Sequence, residues 1–388
     1  MKKLMLLLTT LVVLMLPGCM APAGEPALDP PLAVEPESPT DESITILGTG
    51  DILMHNNVIA SGSDGSGGYD FNHLYEPIKL YIESADHASA CLECALAGAE
   101  SGYTGYPQFN SPDELATALK NAGFDLINTA GNHCMDRGLA GGLRTLQVLQ
   151  DAGLDTIGTN ASAEAKATPY IREINGFKLA YLAYSYSTNG IPIPASAPWY
   201  FNDLDKDQVL EDISAVREQA DLVILLLHWG VEYSPYPTEE QTQWARDFFA
   251  AGADLILGSH PHVIQPAEII SVDGKDKLVI YSMGNSIGSQ NGIERNSGVM
   301  VTAEFTRDGA DGAIALSGYE FIPTYIHRYN ASGKQLFRAL PITTTIAAIE
   351  NGGETILTAD DIPLLESVYT ATMDTLCAMG LELDQTTL

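Results

Sequence analysis

Five histidines stand at or just after short apolar runs, and they travel with carboxylates and an amide. His55, His133, His228, His260 and His262 are five of the eight histidines, and Asp51, Glu93 and Asn132 occupy similar positions. Imidazole and carboxylate are the donors of zinc, manganese and iron sites, so the set predicts metal chemistry. A lone histidine in such a place is more often structural; five together change the odds. His260-Pro261-His262 has the most informative spacing. In an extended turn, residues i and i+2 aim the same way, so two imidazoles can serve adjacent ions. His73, His87 and His327 lie away from this pattern and are not expected to be ligands.

The elements that position these residues alternate short apolar runs with helical patterns, which predicts an α/β fold. Ile44–Leu47 leads into Gly50-Asp51, and residues 125–128 into Asn132-His133. Leu222–Leu227 leads into His228, residues 253–257 into His260 and His262, and residues 278–281 into Asn285. In open α/β sheets, ligands bind outside the carboxyl ends of the strands, where these polar residues fall. Helices are predicted over 112–121 (capped by Ser111), 139–151, 205–220 and 238–251, the last opened by a Thr238/Gln241 capping box. Gly123, Gly153 and Gly252 follow three of them as left-handed caps. Residues 299–306 and 313–323 alternate like antiparallel strands, and 363–379 reads as a helix in a helical C-terminal tail, 343–388. The Gly-rich segment 61–70 opens no helix in phosphate-loop fashion and is read as a flexible loop at the mouth of the site.

The chain has 388 residues, 19 Lys+Arg against 50 Asp+Glu, a net charge of −31, 45% hydrophobic residues and a mean hydropathy of +0.03. The apolar share excludes general disorder. The acidity argues against nucleic acid and against docking on anionic lipid by surface charge. Lys2, Lys3, the apolar run Leu4–Leu16 and Leu16-Pro17-Gly18-Cys19 resemble a bacterial lipoprotein signal (1–19), with Cys19 the lipidated residue. Six prolines then mark 20–42 as a semi-rigid tether. The expectation is a lipid-anchored protein on the extracytoplasmic face of the cell membrane.

The ordered segments GDILMH (50–55), YDFNHLYEPIK (69–79), SADHASACLE (84–93), NTAGNHCMDRG (128–138), HWGVEYSPYPTEEQ (228–241), GADLILGSHPHVIQPAE (252–268) and YSMGNSIGSQ (281–290) resemble the CapA family of poly-γ-glutamate capsule synthesis, within the calcineurin-like metallophosphatase superfamily. The resemblance implies a four-layer α/β/β/α sandwich over 43–342, with a C-terminal β/helical extension. It implies two divalent ions (Mn, Zn or Fe) held by Asp51, Glu93, Asn132, His228, His260 and His262, with His133 as the catalytic residue. His55 follows Asp51 by four positions instead of the superfamily's two, so it is either a ligand or a wall of the site.

Cys91 stands where the family usually has Asn. Cys91, Cys94 and Cys134 are small buried thiols, disulfide partners, or, for Cys91, a thiolate ligand favouring zinc. Asn285 is expected to steady a ligand loop, Arg137 to fix the loop after His133 or meet a substrate anion, and Trp229 and Tyr233 to line a substrate groove or pack beneath it. Three functions fit: capsule-polymer synthesis with membrane partners and an anionic polymer ligand; a free-standing phosphoesterase or amide hydrolase; or a non-catalytic polymer-binding module.

Overall fold

The computed structural model describes residues 41–382; the signal, Cys19 and nearly all of the tether lie outside the described residues. Fourteen strands are found among them: β1 Glu42–Ile52, β2 His87–Leu92, β3 Leu126–Asn128, β4 Asp155–Ile157, β5 Tyr170–Ile174, β6 Phe177–Ser185, β7 Leu222–His228, β8 Leu255–Ser259, β9 Ala267–Val272, β10 Lys275–Ile280, β11 Asn285–Ile287, β12 Ser297–Arg307, β13 Ile314–Ala331 and β14 Lys334–Pro341. One sheet runs β14-β13-β12-β1-β2-β3-β4, with β11 pairing β1; the other runs β5-β6-β7-β8-β10-β9. In the first sheet β14, β13, β12 and β1 pair antiparallel and β1, β2, β3 and β4 pair parallel; in the second, β6, β7, β8 and β10 are parallel and the antiparallel pairs β5/β6 and β10/β9 lie at the two edges.

Alternation along each strand makes four layers. Leu222, Ile224 and Leu226 of β7, with Leu255 and Leu257 of β8, face Ile44, Ile46, Val299 and Val301 of the other sheet. The intervening Val223, Leu225, Leu227 and Ile256 turn outward onto helices Lys206–Arg217 and Glu239–Ala251. On the far side, Leu47, Ala88, Ala90 and Ile127 pack on helices that include Asn56–Gly62 and Glu114–Ala122. The order is helix, sheet, sheet, helix. Helices Ile342–Glu350 and Ile362–Leu376 follow β14; Ile342, Leu365 and Val368 cluster with Leu340.

Local signals act as expected in several places. Thr238 and Gln241 form both bonds of the capping box, and Gly123 closes its helix in the left-handed region at φ 103°. Ser111 does not cap: the helix begins at Glu114, and the Ser111 hydroxyl turns to Cys94 Sγ at 3.5 Å. The Gly-rich segment is tied rather than open. Ser63 pairs with Tyr69, and Asp64 Oδ1 accepts the N–H groups of Ser66 and Gly68.

Candidate metal centre

The strand ends expected to carry donors converge. β1 reaches Asp51 through an irregularity: its pairing with β2 shifts register between Thr49 and Asp51, and its pairing with β11 shifts just after Asp51. Such bulges re-aim a side chain at the end of a strand. Gly50 permits this, because a Cβ there would overlap the Gly284 carbonyl oxygen; the Asp51 N–H then reaches that oxygen at 3.0 Å. Cys91 lies beside Asp51 in register, and the Glu93 N–H donates to Ile52 O at 3.1 Å. His228 closes β7 in register with Ser259 of β8.

His260 and His262 follow β8 with φ of 98° and 59°. This corrects the extended turn expected for His-Pro-His. Both residues lie in the region that disfavours a side chain, at a cost on the order of 1–3 kcal/mol each, and such strain persists only where the surroundings enforce it. The His260 N–H donates to Asp51 Oδ2 at 2.9 Å, and the Tyr233 N–H to Pro261 O at 2.8 Å. The two rings still converge, with centroids 5.9 Å apart.

Two groups of possible donors result, Asp51/Cys91/His228 and Glu93/His260/His262, with the donor atoms of each group within 4.8 Å of one another. They adjoin. His228 Nδ1 lies 3.7 Å from Asp51 Oδ1, and its Nε2 lies 3.7 Å from Glu93 Oε1 and 3.2 Å from Asn132 Oδ1. His262 Nδ1 is 3.4 Å from Asp51 Oδ2, and its Nε2 is 3.6 Å from Glu93 Oε1. Asp51, Glu93 and His228 are completely buried. Asp51 Oδ1, both Glu93 carboxylate oxygens and His260 Nδ1 have no hydrogen-bond partner. Buried polar atoms are almost always paired, so a converging cluster of unpaired ones fits a bound cation.

The electrostatics of His228 and His260 agree. Burial pushes His228 down to about 4 and His260 to about 2, leaving both imidazoles neutral, the form that binds metal. Burial also raises Glu93 well above the usual carboxylate range, against the pull of His262. Burial alone would lower His262, but the nearby Glu93 and Asp51 carboxylates lift it to about 9. Burial opposes ionisation of Asp51, yet His262, His228 and the His260 N–H hold it below its ordinary value.

The remaining expected residues fall around this core. His133 Nδ1 meets Asp136 Oδ2 at 2.8 Å, and the ring packs edge-on against Phe109 at 4.7 Å. His55 belongs to neither donor group. Its ring meets Phe109 at 5.5 Å and its Nδ1 accepts the Ser289 N–H at 3.3 Å, so it lines the wall. Asn285 Oδ1 meets His262 Nδ1 at 3.1 Å, while its amide nitrogen donates to Arg295 O at 2.8 Å, which steadies the loop that carries His262. Arg137 donates to Thr104 Oγ1, to Gln108 O at 3.0 Å and to Phe109 O at 3.4 Å, holding the loop over His133.

Trp229 does not line a groove. It is buried with Leu225, Leu227 and Tyr281, and its indole N–H donates to Tyr281 O at 3.0 Å. Tyr233 is 41% exposed, with its ring 6.0 Å from that of His262. Cys91, Cys94, Cys134 and Cys377 are free thiols, so the disulfide reading does not hold. Cys91 Sγ is 3.6 Å from His228 Nδ1, the side of the ring that also meets Ser259 Oγ at 3.0 Å.

Three neighbours escape the sequence reading. Tyr186 lies against His260 with its ring tilted and the centroids 4.4 Å apart, Asn189 reaches His133 Nε2 at 3.4 Å, and Phe109 touches both His55 and His133. Tyr186 and Asn189 follow β6, an apolar strand that ends without a residue of metal-donor type, so only the strand itself could have pointed to them.

The family model described as bacterial capsule synthesis protein PGA_cap matches residues 45–290. The capsule biosynthesis protein CapA of Bacillus anthracis is 26% identical over 277 residues, 69% of this chain and 66% of that protein. The PGA biosynthesis protein CapA of Bacillus subtilis (strain 168) is 29% identical over 244 residues, 62% of this chain and 63% of that protein. The matches thus span just under two thirds of these relatives' length. Among solved structures, a 5'-nucleotidase precursor from Thermus thermophilus is similar with a TM-score of 0.45 and 13% identity, covering 88% of this chain and 60% of that one. The calcineurin-like phosphoesterase YfkN from Bacillus subtilis is similar with a TM-score of 0.43 and 15% identity, covering 86% and 99%. Because that family model matches well over half of the chain, the chain belongs to the bacterial capsule synthesis protein PGA_cap family.

Proposed function

We propose that this chain serves the synthesis of a poly-γ-glutamate-type capsule polymer, as a lipid-anchored protein outside the cytoplasm, through a dinuclear metal site of hydrolase type. The observation that carries the metal reading is the cluster of buried, unpartnered atoms on Asp51, Glu93 and His260. Asp51, Glu93, Asn132, His228, His260 and His262 would hold the ions. When bound, divalent ions supply a Lewis acid and an activated water.

The chain's own residues supply the rest. Asp136 Oδ2 accepts the Phe109 N–H at 2.6 Å and meets His133 Nδ1, which fixes the ring and leaves Nε2 to hold or deliver a proton at the leaving atom. This oriented acid–base pair beside the donor set favours hydrolysis over simple polymer binding. The signal and Cys19 support the anchor; among the described residues no helix is long and apolar enough to cross a membrane.

Metal content of the purified full chain, measured by inductively coupled plasma mass spectrometry, tests the centre. Turnover of a γ-glutamyl polymer beside p-nitrophenyl phosphate then separates polymer processing from a free-standing phosphoesterase. A chain that retains no divalent metal, and whose Asp51→Ala variant still supports capsule formation, sinks the enzymatic reading.

A further inference from the structure

Arginine pairing in this chain is uneven. With 50 acidic residues available, ion pairs should be easy to find, and six of the nine arginines have one: Arg144–Asp113, Arg172–Asp155, Arg217–Asp254, Arg246–Glu268, Arg307–Glu42 and Arg338–Glu354. Among the described residues Arg137, Arg295 and Arg328 have no carboxylate within ion-pair distance. All three are half-buried, and each is linked to a residue beside the candidate centre.

Arg137 directly follows Asp136, the partner of His133. Arg328 donates to Gln290 O and to Asn296 Oδ1, inside the loop whose Ser289 contacts His55 and whose Gln290 accepts from Asn285. Arg295 gives its own carbonyl to Asn285, the residue that meets His262. Arg137 and Arg328 use their N–H groups on neutral oxygens of the chain. The Arg295 guanidinium has no hydrogen-bond acceptor among the described residues. It lies over the Tyr233 ring, with its central carbon 3.9 Å from the centroid.

Tyr233 is held in an unusual backbone conformation, φ 65°, and Gln290 Nε2 donates to its hydroxyl at 3.3 Å. The strained residue therefore presents the ring on which Arg295 is stacked. Stacking orients a guanidinium while leaving its N–H edge open, which is the geometry for a bidentate grip on a planar oxyanion. Glu232, next in sequence, is the acidic residue whose charge is felt most at Tyr233, and it forms no ion pair with Arg295.

We propose that the Arg295–Tyr233 pair is a substrate subsite that binds a carboxylate of an anionic polymer, one residue along from the group presented to the metal centre. The inference rests on the metal-centre reading and adds a recognition element to it. It also answers the problem set by the net charge of −31: local attraction for a polyanion comes from arginines left unpaired at the rim, as well as from bound cations.

The test uses the full chain in detergent with its metal and a fluorescently labelled γ-linked glutamate oligomer, read by anisotropy. Arg295→Ala should weaken binding by about tenfold to a hundredfold, the range of one charge-assisted contact. Arg295→Lys should recover part of that loss, since it keeps the charge and loses the fork. Metal content and melting temperature should be unchanged in both variants. Arg246→Ala, which removes an exposed paired arginine, should bind like the original chain.

If metal is retained and Arg295→Ala binds the oligomer as tightly as the original chain, the subsite is wrong while the metal centre stands. If the original chain holds no metal, the underlying reading fails instead. If inorganic polyphosphate displaces the probe far more readily than unlabelled glutamate oligomer does, the carboxylate assignment is overturned.

Discussion

Glu93→Gln should change stability in opposite directions with and without metal. Both carboxylate oxygens of Glu93 are buried without a donor, between His228 Nε2 at 3.7 Å and His262 Nε2 at 3.6 Å from Oε1. An unsatisfied buried polar atom costs about 1–3 kcal/mol. Gln keeps the shape, removes the charge and adds donors, so the metal-free variant should be as stable as the parent, or more stable by up to about 2 kcal/mol. Metal inverts the order. An ion at a thousand times its dissociation constant stabilises the parent by about 4 kcal/mol. Unfolding roughly 340 ordered residues carries an entropy of about 0.7 kcal/mol/K, so one ion raises the midpoint by about 6 °C and two by about 10 °C or more. The Gln variant should lose most of that rise. Differential scanning calorimetry in EDTA and in saturating Mn or Zn measures all four midpoints. Equal metal-induced shifts in the parent and the variant would refute the argument, because Glu93 would then not face a cation.

Gly50→Ala should destabilise the chain by about 3 kcal/mol or more, read as a lower urea midpoint with an unchanged m-value, because the new Cβ collides with the Gly284 carbonyl oxygen beside Asp51. Cys91→Ser should retain the parent's metal content: Sγ sits on the Nδ1 side of His228, while Nε2 faces Asn132 and Glu93; a loss of metal would instead assign the thiolate to the shell. Glu354 gives a pH dependence away from the centre. Burial alone would raise it, but Arg338 and the Ile356 and Leu357 N–H groups hold it at about 2, below the unfolded 4.5. A depressed acid stabilises the fold above its unfolded pKa, and that contribution is lost as pH falls from about 4.5 to about 2. Solvent screens part of the roughly 3 kcal/mol such a shift implies, leaving about 1–2 kcal/mol, which Glu354→Gln should remove at pH 7 but not at pH 2.

What the sequence discloses here is governed by how local the physics is. The Thr238/Gln241 box and the Gly123 cap depend on residues within one turn, and both act as their spacing predicts. The convergence of the candidate donors is legible because imidazoles and carboxylates recur at the ends of several apolar runs, and strand ends meet at one edge of the sheets. β2 is harder to see: His87-Ala-Ser-Ala-Cys-Leu92 is only weakly apolar, yet every residue is buried because it lies in the middle of its sheet. β4 and β11 span three residues each, too short for any period to show.

Trp229 was legible after all. Leu225 and Leu227 lie on the outer face of β7, and Trp229, the residue after the strand, continues that alternation, which turns it away from the face that carries His228. The left-handed backbone at His260 and His262 follows from tertiary contacts with Asp51 and Tyr233, which no three-residue motif encodes. The rim arginines lie furthest from local reading. Arg295 sits in Asn291-Gly-Ile-Glu-Arg-Asn296, a stretch that reads as an ordinary polar turn. Its meaning lies in what it lacks: in so acidic a chain, a half-buried arginine without a carboxylate is best explained by an anion that arrives from outside.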